Sequence, residues 1–126
     1  MTSHLTEDNK LKKIIIVGDR VLIKLAKPDE RTESGLYLPP GVQEKEKVQR
    51  GYIIKTGPGY PIPISGDDDD AWKPQEEKVR YLPLQAKEGD LAIFLLNGST
   101  EIVYQGDKFL IVPQSAILML EREEEL

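Results

Sequence analysis

Cysteine is absent from this 126-residue chain, and histidine occurs once, at His4 in the polar opening stretch MTSHLTEDNKLKK. The first absence excludes disulfides, thiolate zinc sites and cysteine nucleophiles together. The second leaves no imidazole to be held beside a nucleophile, so Ser-His-Asp and Cys-His chemistry has no base. No segment approaches the run of roughly 18 apolar residues that spans a bilayer, so no membrane partner is expected. The opening stretch also lacks the apolar core of a secretory signal, and a cytoplasmic location is the expectation. A long basic surface is missing too. Of the formal net charge of -5, the stretch 67–77 supplies six acids against one lysine and EREEE at 121–125 supplies four acids against one arginine. The remainder carries a small positive excess whose lysines and arginines are interleaved with acids, a pattern that does not track a phosphate backbone. Nucleic acid is not an expected partner.

What the chain does contain is a set of short apolar runs rich in Ile, Val, Leu and aromatics: IIIV (14–17), VLIKL (21–25), YIIK (52–55), LAIFLL (91–96), EIVY (101–104), FLIV (109–112) and AILML (116–120). None holds a helical period for ten or more residues, and Gly-Asp, Gly-Pro-Gly and Asn-Gly turn signals separate them. The reading is an all-β domain, a small and partly open β-barrel. From LAIFLL onward, the order LAIFLL-NGST-EIVY-QGD-KFLIV predicts consecutive strands joined by short hairpins. One domain over 12–120 is expected, flanked by a polar tail at 1–11 and an acidic tail at 121–126. Two longer stretches interrupt the strands, 26–50 and 60–80, and long connections in a compact domain tend to be functional.

The first of these contains an apolar island. SGLYLPPG (34–41) follows KPDERTES (27–34) and precedes QEKEKVQR (43–50), each flank carrying five charges in eight residues. By alternation Leu36 and Leu38 share one side of an extended segment and Tyr37 takes the other. On that ground alone the island reads equally as a stub of edge strand, cut short by Pro39-Pro40, or as an extended tripeptide that docks into an apolar groove of another protein.

Five blocks then stand in order: GDRVLIK (18–24), ERTESGLYLP (30–39), QRGYIIKTGPG (49–59), LPLQAKEGDLAIF (82–94) and NGSTEIVYQGDKFLIVPQSAILML (97–120). Together they cover about half of the chain, and they resemble the GroES-type co-chaperonin family. The resemblance implies a barrel subunit with a roof hairpin, assembled as a homo-oligomer, a heptameric ring, that caps a nucleotide-bound GroEL-type chaperonin during ATP-dependent protein folding. It implies no enzyme activity and no cofactor. It makes 26–50 a mobile loop whose Gly35, Leu36, Tyr37 and Leu38 bind the partner, Leu36 and Leu38 being the anchors. It also places subunit contacts near the two chain ends, at Ile14, Ile15, Ile16, Ile117, Leu118 and Leu120.

This chain departs from that pattern in four places. The polar N-terminal tail is longer than usual, Tyr37 stands where the family has an aliphatic residue, Asn97 stands where an aromatic is frequent, and the roof segment is extended by roughly a dozen residues carrying Asp67 to Asp70 and Trp72. DDDD lacks the alternating ligand order and glycine bend of a calcium loop, so no metal site is expected. Two other classes of function are open to a small β-domain. Zinc dehydrogenases that contain this fold need Cys and His ligands and a G-x-G-x-x-G half, which this sequence lacks. A divergent relative serving another protein partner is the remaining alternative.

Overall fold

The computed structural model describes residues 11–26, 35–36, 38–41, 47–63 and 79–123. Eight strands are formed among the described residues: β1 (Arg20–Leu25), β2 (Val48–Thr56), β3 (Tyr60–Pro63), β4 (Val79–Leu82), β5 (Leu91–Leu95), β6 (Thr100–Tyr104), β7 (Asp107–Pro113) and β8 (Ile117–Glu121). Six of them build one antiparallel sheet in the order β6-β7-β1-β2-β5-β8, while β3 and β4 pair as a separate two-stranded ribbon. The sheet does not close on itself, so the architecture is the expected all-β, partly open barrel.

Period-2 alternation along β1 and β7 sends side chains to two faces and makes two apolar clusters. Val21 and Ile23 of β1 and Leu110 and Val112 of β7 join Ile53, Leu84, Ala92 and Phe94 in the larger core. Leu22 and Phe109, one position out of phase, pack on the other face with Leu11 and Ile16, which come from the segment before β1. Strand β5 is flanked by β2 and β8, and its residues Leu91, Ala92, Ile93 and Phe94 are all buried. A continuous apolar run is the composition such a central strand requires.

The β6–β7 hairpin is as expected: Tyr104 pairs with Asp107 across a two-residue loop in which Gln105 has φ 50° and Gly106 has φ 86°. Positive φ at both loop residues is the type I′ turn, whose twist matches that of the strands. The hairpin expected between β5 and β6 is not formed. These strands lie in different parts of the sheet, and Leu96–Gly98 makes a single 3-10 turn instead. Gly98 is there for closeness: a Cβ on it would sit 3.1 Å from the Ala116 Cβ. A second correction concerns IIIV. Residues 14–17 belong to no strand of this chain. The stretch 60–80 carries the expected roof hairpin, because β3 at its start pairs with β4 at its end. Proline at alternate positions of β3, Pro61 and Pro63, turns both missing N–H groups to one side, so YPIP can pair along its other side only.

Glycines in the QRGYIIKTGPG block mark close backbone approaches. A Cβ on Gly51 would lie 2.4 Å from Ile23 Cγ2 and 2.7 Å from the Lys24 carbonyl, where β2 crosses β1. Gly57 donates its N–H to the Arg20 carbonyl, and Gly59 donates to the Gly18 carbonyl. Gly59 has φ 120°, and a Cβ there would meet the Leu82 carbonyl oxygen at 2.0 Å. This junction ties the start of β1, the end of β2 and the β3–β4 ribbon together.

Candidate functional site

The apolar island lies between β1 and β2 in the chain, and its described residues belong to no strand. Gly35 is exposed with φ 92°, a conformation costly for any residue with a side chain. Leu36 and Leu38 are half-buried and belong to neither buried cluster of the barrel. Tyr37 lies outside the described residues, as do Asp67 to Asp70 and Trp72. At the root of this connection Ala26 donates to the Arg50 carbonyl at 3.0 Å. Arg50, only 3% exposed, directs its guanidinium at the island and donates to the Leu36 carbonyl at 3.4 Å. The two ends of the connection are therefore held by β1 and β2, and Arg50 of β2 ties Leu36 to them.

The two sets of residues near the chain ends are not brought together within one subunit. Ile14 and Ile16 pack with Leu11, Leu22 and Phe109, whereas Ile117 and Leu120 pack with the core that contains Phe94. Both segments nevertheless present an edge. Ile15 is 84% exposed and Val17 67% exposed, with buried Ile16 between them. Strand β8 pairs with β5 along one side only, and Leu118 is 57% exposed. Beside β8 runs a groove of about 630 Å³ lined by Leu84, Gln114, Ile117, Leu118, Leu120 and Arg122, among others.

One wall of that groove rests on a buried ion pair. Lys87 to Asp90 form a type II turn, closed by the Asp90 N–H donating to the Lys87 carbonyl and made possible by φ 93° at Gly89. The Asp90 carboxylate is 1% exposed. It accepts from the Lys87 N–H at 2.9 Å, from Arg122 Nε at 2.7 Å and from Arg122 Nη2 at 2.6 Å. The Arg122 hydrogen bonds hold the Asp90 pKa below the usual carboxylate value against the opposing effect of burial, and the same bonds raise that of Arg122. Arg122 Nη2 also donates to the Gln85 carbonyl at 3.0 Å, so the strand end leaving β8 is fastened to the segment before β5.

The model of the family described as Chaperonin 10 Kd subunit matches residues 13–120. This chain belongs to that family. Among curated relatives, the Co-chaperonin GroES of Rhodothermus marinus is 37% identical over 112 residues, covering 89% of this chain and 95% of the relative. The Co-chaperonin GroES of Bacillus subtilis (strain 168) is 36% identical over 102 residues, 81% of this chain and 92% of the relative. That of Listeria innocua is 35% identical over 106 residues, 84% and 96% respectively. The match runs through the apolar island, the glycine junction and both edge segments.

Among the described residues no group of three or more His, Asp or Glu side chains is placed to hold a metal ion. Among them too, no helix is long and apolar enough to cross a membrane. Residue-pattern reasoning missed the polar tethers Arg50, Lys55 and the Asp90–Arg122 pair. Lysine at the end of YIIK was a visible signal, because a cation closes an otherwise apolar run.

Proposed function

We propose that this chain is the lid subunit of a GroEL-type chaperonin: a non-catalytic co-chaperonin whose copies form a heptameric ring and cap the nucleotide-bound partner ring while a client folds inside. The observation that carries the reading is the pair Leu36 and Leu38, half-buried on a connection outside the sheet and belonging to neither core cluster, in a chain whose family match spans them.

The energetics favour many weak contacts. Burying two leucines yields roughly 3–6 kcal/mol, and fixing each backbone residue of an extended tripeptide costs about 1–2 kcal/mol. One loop on its own binds weakly. Once the first loop of a ring is engaged, the others bind intramolecularly, and avidity raises the affinity by about 10²–10⁴ without any new contact. A modest change in each groove of an ATP-driven partner then releases the whole lid.

Assembly supplies the partner strands that a single subunit lacks. Residues 15–17 of one copy and β8 of the next each offer an apolar edge that no strand covers among the described residues, and edges of this kind are prone to pair. The test is a Leu36→Ser/Leu38→Ser variant examined by native mass analysis with and without chaperonin and nucleotide. The expected result is an assembled ring that no longer binds the chaperonin. An assembled double variant that still binds and still supports refolding of a stringent client overturns the assignment of the tripeptide.

A further inference from the structure

The segment before β1 is held in a specific shape by a residue of β2. Lys55, which stands opposite Leu22 in the β1–β2 ladder, donates from its ammonium to the Leu11 carbonyl at 2.8 Å and to the Ile14 carbonyl at 2.7 Å. Between those two carbonyls the chain makes a turn, closed by the Ile14 N–H donating to the Leu11 carbonyl at 3.1 Å. Leu11 and Ile16, at 5% and 6% exposure, anchor the segment on either side of the ammonium. The consequence falls on the residues that follow. Ile15 and Val17 are exposed on either side of buried Ile16, the alternation of an extended run, and among the described residues the backbone N–H groups of 15–17 carry no hydrogen bond.

An extended, anchored segment with free donors and outward apolar side chains has the form of a strand that lacks its neighbour. We propose that Lys55 is a positioning residue for subunit assembly. It fixes the exit of the chain from the turn at 11–14, so that 15–17 are already extended when β8 of a second copy arrives. This rests on the reading that the chain forms a ring.

Two features of the site favour positioning over mere anchorage. The contacts are charge-assisted bonds to main-chain oxygens, which set backbone direction, whereas Leu11 and Ile16 set only depth of burial. They also act on the carbonyl of Ile14, the residue directly before the exposed edge. Ordering this edge during folding leaves less to be ordered at association, which is how preorganisation raises affinity.

The test compares wild type with Lys55→Met, which keeps the aliphatic stem and removes both bonds, and Lys55→Arg, which keeps a cationic donor. Sedimentation equilibrium gives the concentration at half-dissociation, and amide exchange reports on 15–17. Urea unfolding of dilute subunits reads the barrel itself. The expected result for Lys55→Met is at least a tenfold rise in the half-dissociation concentration and faster exchange at 15–17, with the barrel's urea midpoint little changed. Lys55→Arg is expected to recover most of the assembly. Unchanged assembly in Lys55→Met overturns the role of Lys55, and so does a loss that only follows barrel stability and is not recovered by Lys55→Arg. Wild-type protein that stays a 14.2 kDa monomer defeats the ring reading itself, and the proposal with it.

Discussion

Replacing Asp90 by alanine removes the carboxylate that joins the turn before β5 to the end of β8. Its partners set the magnitude. The Lys87 N–H, donating to a carboxylate that is 1% exposed, loses a charge-assisted bond of about 1.5–3 kcal/mol. The Arg122 side chain is 48% exposed, so water replaces much of what it loses and the Lys87 bond dominates. With a urea slope of roughly 2 kcal/mol per molar for a domain of this size, the midpoint falls by about 1 M. The sign of the pH dependence follows from the direction of the pKa shift. Asp90 is depressed in the folded state, so its contribution is complete above the unfolded carboxyl value, about 3.9, and is lost as pH falls through the lower folded value. Urea unfolding at several protein concentrations, to separate assembly from subunit stability, is therefore expected to show a constant gap between wild type and Asp90→Ala from pH 7 to about 5. The gap narrows below about pH 4. A gap under about 0.5 kcal/mol at pH 7, or one equally wide at pH 3, refutes the account.

Two further substitutions test the backbone. Gly59→Ala places a Cβ on the Leu82 carbonyl at a positive φ, and a loss of about 3 kcal/mol or more is expected, with faster amide exchange in β3 and β4. Gln105→Asn puts the residue that best tolerates φ 50° into the type I′ turn, and thermal unfolding is expected to show a gain of about 0.5–1 kcal/mol.

Much of the barrel could be read from local pattern, because alternation and turn chemistry act over a few residues. VLIKL, LAIFLL and FLIV became β1, β5 and β7 with little shift at their ends, and Gln105-Gly106 closes the hairpin its glycine announces. The apolar island stood out for a similar reason: two leucines between charged flanks have no local structure to account for them. Where the pattern misled, the cause was non-local. Asn97-Gly98 carries the signature of a hairpin, yet its glycine answers to Ala116, a residue distant in sequence, and β5 turns to β8 for its pairing.

Residue order alone was enough to specify an all-β chain and to mark the apolar island at 34–41, since both follow from spacing and side-chain type, whereas the choice of Leu36 and Leu38 as anchors came from the family resemblance. Strand order, the burial of Asp90 against Arg122 and the grip of Lys55 on Leu11 and Ile14 needed the folded molecule. The two tethers depend on atoms 32 to 44 residues apart in the chain being carried to hydrogen-bonding distance, and strand order on pairings such as that of β1 with β7. IIIV shows the boundary between the two. Its composition is that of a strand, but a strand exists only where another backbone meets its N–H and C=O groups, and within this subunit the N–H groups of 15–17 meet none among the described residues.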